Sequence, residues 1–272
     1  MKRALYALDD LYRRYVYERP SPRYRQQLIR SSSHTDFQKK AEELCRNGVL
    51  LLPAYFPQPM IEAMRMDFDR WAEGKEPDAM GRLFLNEKNG AFLRASAPFS
   101  RAAADPFLTG LIRYYWGKPI FLAHSVGFRL EPRPDGTRVG SFRWHHDANR
   151  KQIKLMIYLA DVPSNGQRMD YLPGTHRLWH HFQRGEAGYE ASRFSDEAVA
   201  QYGPPFGCGG PAGTALLFDT NGLHRGNQNP TVRREVWVLQ YTAGRNMERF
   251  SGLHPEVVQG LEPACKSIAR SS

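Results

Sequence analysis

The chain has 272 residues, enough for one well-buried core, and 41% hydrophobic with 12% aromatic residues argues against disorder. A formal net charge of +10 favours anionic partners, but half of that excess lies in residues 1–30, where eight Lys or Arg face three Asp or Glu. No apolar run is long enough to span a membrane, and Cys45, Cys208 and Cys265 form neither an even disulfide set nor a zinc-like cluster. A cytoplasmic protein is therefore expected.

Residues 1–35 read as a basic N-terminal extension, in which Leu5, Leu8, Tyr12 and Tyr15 lie at helical spacing. The stretch Glu18-Arg19-Pro20-Ser21-Pro22 reads as a polar linker. Tyr6, Tyr12, Tyr15, Tyr17 and Tyr24 interleave with the bases there, but an amphipathic helix packed on the body accounts for them, so nucleic acid is not expected. A single domain is expected over 36–250, with a C-terminal tail over 251–272. Thr35 and Gln38 fit a capping box for a helix ending near Asn47-Gly48. Val49 to Pro53 reads as a buried strand, Pro57 to about Trp71 as an amphipathic helix, and Phe107 to Trp116 as another, stopped by Gly117.

From about residue 120 to 245 the signals turn to strands. They run Phe121 to Leu130, then through a Pro134-Asp135-Gly136 turn into Arg138 to Trp144, then Lys154 to Leu159, Gly213 to Asp219 and Arg234 to Tyr241. Helices followed by many short strands predict a barrel or sandwich flanked by helices.

Within that region, Trp144-His145-His146-Asp147 places a histidine and a carboxylate two residues apart. A strand repeats every two residues, so His145 and Asp147 share a face and His146 points away. His224 follows 77 residues after Asp147. Two histidines and one carboxylate leave three positions open on a metal, the arrangement used by non-haem Fe(II) to activate oxygen. The competing reading of each is a strand-end histidine bonded to a nearby acid.

The ordered series resembles the phytanoyl-CoA dioxygenase family of Fe(II)- and 2-oxoglutarate-dependent oxygenases. It runs from Gly48 and Val49-Leu50-Leu51-Leu52-Pro53, through His145-His146-Asp147, Asp161-Val162 and Tyr171-Leu172-Pro173-Gly174-Thr175-His176-Arg177. It closes with Gly210-Pro211-Ala212-Gly213, His224-Arg225-Gly226, Asn229 and Arg233-Arg234. The resemblance implies a mainly β, double-stranded β-helix (jelly-roll) core. It also implies a metal site of His145, Asp147 and His224, with O2 and 2-oxoglutarate as cosubstrates and succinate and CO2 as products. An Asp at 147, rather than a small residue, favours oxygenation over halogenation.

A planar guanidinium suits the distal carboxylate of a diacid, and Arg234 is the choice for it, with Arg233 as the alternative. The family's polar contact on the preceding strand falls to His124 or Ser125. Trp144, His146, Asn149, Lys154, Arg177 and Arg94 are the candidate pocket residues; several are cationic, which predicts a polar or anionic small-molecule substrate. His176, His180 and His181 are set aside as structural or surface residues. Gln240 stands where nucleic-acid demethylase relatives carry an arginine, and Arg234-Glu235-Val236 lacks the Arg-x-Ser of the penicillin-synthase branch. Hydroxylation is the expected outcome. Desaturation, epimerisation or ring formation on the same cofactor, or a non-catalytic metal-binding jelly roll, are the alternatives.

Overall fold

The structure, a computed structural model, describes residues 19–78, 81–87, 91–132, 140–147, 151–178, 192–229, 231–243 and 252–260. The amphipathic stripe expected before residue 19, the 134–136 turn, Asn149, His180 and His181 lie outside them.

The supposed linker at Pro20-Ser21-Pro22 instead begins a helix, α1 (Pro22–Ser31). The Ser21 hydroxyl accepts the Tyr24 N–H at 3.3 Å, and proline's fixed φ suits the first helical turn. Helix α2 (Phe37–Asn47) ends at Gly48, whose φ of 74° is the left-handed stop expected of glycine. The capping box does not form, because the Gln38 amide donates to Glu42 one turn along the exposed face at 2.8 Å. Strand β1 (Val49–Leu52) and helix α3 (Gln58–Ala72) follow.

Next come β2 (Arg82–Glu87) and the short helices α4 (Ala91–Ala95) and α5 (Ala97–Ala103), none of which is marked in the sequence by clear periodicity. Helix α6 (Pro106–Trp116) starts on an Asp105 cap, which accepts the Leu108 N–H at 2.9 Å, and stops at Gly117 (φ 63°).

The remaining strands are β3 (Phe121–Leu130), β4 (Trp144–His145), β5 (Ile153–Tyr158), β6 (Met169–Tyr171), β7 (Arg193–Phe194), β8 (Phe206–Cys208), β9 (Ala215–Asp219), β10 (His224–Gly226) and β11 (Arg234–Thr242). Of the strand expected over 138–144, the described part holds a 3-10 turn over 140–142 and the short strand Trp144–His145. Two antiparallel sheets result, ordered β1-β9-β5-β11-β3-β2 and β7-β4-β10-β6-β8. They face each other as a double-stranded β-helix, with the helices on the outer face of the larger sheet.

Strand β11 shows how the sequence builds the layers. Val236 and Val238 join Val126, Met156, Tyr158, Met169 and Tyr171 in the core between the sheets. Trp237, Leu239 and Tyr241 point the other way, into the core under the helices. Phe92 stacks on the Trp237 indole at 4.2 Å between centroids, with Phe99 at 4.5 Å and Phe68 edge-on at 6.1 Å. A third cluster of Trp144, Leu172, Phe194, Val199 and Leu223 covers the outside of the smaller sheet. Among the described residues no helix is long and apolar enough to cross a membrane.

Candidate metal and cosubstrate site

Pairing of β4 with β10 sets His145 directly opposite His224, so their rings lie side by side with centroids 4.3 Å apart. Each ring is turned by the same local device. The His145 Nδ1 lies 2.8 Å from the Arg143 carbonyl, and the His224 Nδ1 lies 2.8 Å from the Gly222 carbonyl. A carbonyl only accepts, so Nδ1 carries the proton and Nε2 is left as the free lone pair.

Both Nε2 atoms face one carboxylate oxygen. Asp147 Oδ1 is 3.4 Å from His145 Nε2 and 3.7 Å from His224 Nε2. Neighbouring ligands on a metal with bonds of about 2.1 Å lie roughly 3 Å apart, so the spacing fits one ion. The two histidines are buried and Asp147 stands at the exposed lip. Among the described residues this is the one His/Cys/Asp/Glu group placed to hold a metal.

The electrostatics suit ligation. Burial, then the neighbouring His145, push the His224 imidazole down to about 3, so it is neutral at ordinary pH. Burial would raise the Asp147 carboxyl, but His145, His224 and Lys154 outweigh it and hold it well below the usual carboxylate range. Lys154 donates its ammonium to Asp147 Oδ2, leaving Oδ1 turned to the histidines.

The supporting shell is tightly fitted. The Tyr171 ring stacks on His224 at 6.4 Å, and its hydroxyl donates to the Asp219 carbonyl at 3.0 Å. A Cβ at residue 222 would lie 1.8 Å from that hydroxyl, so this turn requires glycine.

The two arginines at the head of β11 have different fates. Arg233 is exposed and pairs with Glu131 (3.1 Å) and Glu235 (3.5 Å) on the helix side. Arg234 shares the inward parity of Val236 and Val238. Its Nη1 donates to the Gln167 carbonyl at 2.7 Å, while its buried Nε makes no hydrogen bond among the described residues. Burial pushes the pKa of this guanidinium down, although arginine keeps its proton. No carboxylate pairs with it among the described residues. Gln167 is a contributor the sequence did not reveal; its side chain is buried and its amide spans the Leu130, Glu131 and Val232 carbonyls.

At the other end of the same inner face, Gln240 of β11 is flanked by His124 of β3 and Lys154 of β5. Burial and the Lys154 charge push the His124 imidazole down, towards the neutral form. Ser125 faces the opposite way, and its hydroxyl accepts the Trp237 indole N–H at 2.8 Å under the helices. Strand alternation therefore removes it from the site.

Other expected pocket residues also lie elsewhere. Trp144 faces the outer cluster, with its indole N–H on Asp196 at 2.8 Å and Arg225 over its ring at 4.4 Å. His146 packs its ring against Phe194 of that cluster at 6.2 Å. Arg94 is exposed on the helix side and lies against Gly252. Arg177 donates to the Cys45 carbonyl at 2.7 Å, in a separate cavity. The fold directs each of these side chains out of the inter-sheet space.

Comparison with known proteins adds independent findings. The family model described as phytanoyl-CoA dioxygenase (PhyH) matches residues 44–235. An ectoine dioxygenase of Stutzerimonas stutzeri (strain A1501) is 25% identical over 229 residues, covering 73% of this chain and 74% of its own. An L-proline trans-4-hydroxylase of Streptomyces griseoviridis is 21% identical over 226 residues, covering 71% and 81%. The crystal structure of the epimerase SnoN with Fe3+, alpha ketoglutarate and nogalamycin RO superposes with a TM-score of 0.61 at 18% identity, covering 76% of this chain and 83% of that one. HygX from Streptomyces hygroscopicus, with nickel, 2-oxoglutarate and hygromycin B bound, gives 0.54 at 18% identity, covering 79% and 90%.

Proposed function

The chain belongs to the phytanoyl-CoA dioxygenase family of Fe(II)/2-oxoglutarate oxygenases, and from that premise we propose that it hydroxylates a polar or anionic small molecule. In this reading His145 Nε2, His224 Nε2 and Asp147 Oδ1 hold the iron. Arg234 receives the distal carboxylate of 2-oxoglutarate. The observation that carries the reading is a donor set of two histidines and one aspartate, paired with a half-buried arginine lacking an acid partner among the described residues.

The donor set fits the metal on its own terms. Both imidazoles present bare Nε2 atoms, because their Nδ1 protons are committed to backbone carbonyls. When bound, Fe(II) with 2-oxoglutarate supplies the oxidising power for removing a substrate hydrogen. The chain's own contribution is orientation. Lys154 holds the second Asp147 oxygen, which would leave Oδ1 as the oxygen offered to the metal. Gln167 steadies Arg234 from the side, so the guanidinium keeps its remaining donors for a carboxylate. Polarity at the inner face comes from His124, Gln240 and Lys154, and ectoine and L-proline, in the names of two relatives, are small polar molecules.

The test is a screen of amino acids, other zwitterions, small acids and neutral apolar compounds for acceleration of 2-oxoglutarate consumption, with succinate and product mass recorded. Acceleration by polar or anionic compounds, with a product heavier by one oxygen, is expected. Acceleration by apolar compounds alone would contradict the substrate class. A product of unchanged mass, or one lighter by two hydrogens, would replace hydroxylation with epimerisation or with desaturation and ring closure.

A further inference from the structure

Between β9 and β10 the chain makes a tight turn over residues 219–222, and two metal-bearing segments are bonded to its backbone. The Thr220 carbonyl accepts the Asp147 N–H at 3.0 Å, and the Gly222 carbonyl lies 2.8 Å from His224 Nδ1. The first contact fixes the chain at the carboxylate, and the second aims the imidazole. The 3.7 Å spacing of Asp147 Oδ1 and His224 Nε2 is therefore set through one turn, and a shift of that turn moves both groups.

The side chain at the first position of the turn holds it in shape. Asp219 is only 2% exposed. Its Oδ1 accepts the Asn221 N–H at 2.8 Å, and its backbone carbonyl accepts the Gly222 N–H at 3.0 Å, so the turn closes on itself. Its Oδ2 accepts the hydroxyl of Tyr115, which stands in the last turn of α6, 104 residues away in the chain. Burial, then the neighbouring Asp219, push the Tyr115 phenol well above its usual range, so the hydroxyl keeps its proton and stays a donor. The other holds on Asp219 act on its backbone: its N–H donates to the Gly48 carbonyl at 2.8 Å, and its carbonyl also accepts the Tyr171 hydroxyl. The carboxyl group is what joins the far limb of the turn, at Asn221, to the helix layer.

We propose that Tyr115 and Asp219 are positioning residues for the metal site, through which α6 sets the turn that presents Asp147 and His224. The proposal rests on the reading of His145, Asp147 and His224 as the ligands. A purely structural bond would serve the fold from anywhere in the core. Tyr241 supplies that case. It lies two strands from Asp219 in the same sheet, is fully buried, and donates its hydroxyl to the Ala103 carbonyl at 2.7 Å.

The test is titration of metal-free protein with Co(II), whose visible bands report ligand geometry, in the parent, Tyr115→Phe and Tyr241→Phe. Denaturant unfolding of the metal-free proteins runs beside it. Each substitution deletes one buried hydroxyl and no carbon, so both variants should fold and lose comparable stability. Tyr115→Phe should bind Co(II) about tenfold or more weakly, with altered visible bands. Tyr241→Phe should match the parent in both. Asp219→Asn keeps Oδ1 for the Asn221 N–H and offers an amide N–H that the Tyr115 hydroxyl oxygen can accept. It should therefore retain most of the affinity that Tyr115→Phe loses, which separates the hydrogen bond from the negative charge. Equal Co(II) binding by Tyr115→Phe and Tyr241→Phe, or a loss in Asp219→Asn without one in Tyr115→Phe, overturns the proposal and leaves the ligand assignment standing. No Co(II) binding by the parent, or parental binding by His145→Ala, overturns the ligand assignment and the proposal with it.

Discussion

The two faces of strand β11 treat charge in opposite ways. On the helix-covered face, Arg129 donates to Glu235 at 2.6 Å and also meets Asp69, while Arg233 pairs with Glu131 and Glu235. Both cations there have an acid, and the network ties α3 to the sheet beside the Trp237 cluster. One residue away on the inner face, Arg234 is half-buried, its Nε covered, with a single carbonyl contact and no acid among the described residues. A buried charge left unpaired costs stability, so its retention calls for a ligand that completes it. Paired cations on one face support structure; a cation without an acid on the other points to binding.

The largest effects should come from breaking either face at its centre. His145→Ala or His224→Ala should abolish iron binding and turnover while leaving the unfolding midpoint of the metal-free protein close to that of the parent; metal analysis and thermal melts check both. Trp237→Ala should do the reverse, costing about 3–5 kcal/mol of stability through the cavity left under Phe68, Phe92 and Phe99. Denaturant unfolding measures it, and any correctly folded fraction should still bind iron.

Arg234→Ala comes next. Loss of a charge-assisted contact of about 1.5–3 kcal/mol should raise the half-saturating 2-oxoglutarate concentration roughly 10- to 150-fold, with stability unchanged or improved. Lys154→Met should weaken iron binding by about tenfold, because Asp147 loses the partner that orients it. Smallest is Arg233→Ala, which removes exposed ion pairs worth under about 1 kcal/mol and should leave the 2-oxoglutarate requirement unchanged. A 2-oxoglutarate effect from Arg233 that matched the effect from Arg234 would erase the contrast between the faces.

Much of this is legible in the chain. The His145/Asp147 spacing and the ordered series out to Arg234 indicate both a jelly roll and a triad, and the alternation Val236, Trp237, Val238 already gives Arg234 a side. The same alternation on β3 sets Ser125 against Trp237, but the sequence does not show which face of an isolated strand is covered by helices. Trp144 and His146 are misplaced by their nearness to the metal motif. They flank His145, and the same two-residue period that turns His145 and Asp147 to one face turns Trp144 and His146 to the other, against the outer cluster. The directions of Arg94 and Arg177 depend on elements that contact them from far along the chain, Gly252 for Arg94 and the Cys45 carbonyl for Arg177. Gln167 is invisible in the sequence because its carbonyl partners, Leu130, Glu131 and Val232, meet it from distant parts of the chain.

The most direct measurement is an anaerobic titration of metal-free protein with Fe(II) and then 2-oxoglutarate, following the visible charge-transfer band, with His145→Ala and Arg234→Ala alongside. The account predicts a band in the parent, none in His145→Ala, and in Arg234→Ala a band reached only at much higher 2-oxoglutarate. A folded, iron-loaded parent with no band, or a band indifferent to both substitutions, would contradict it.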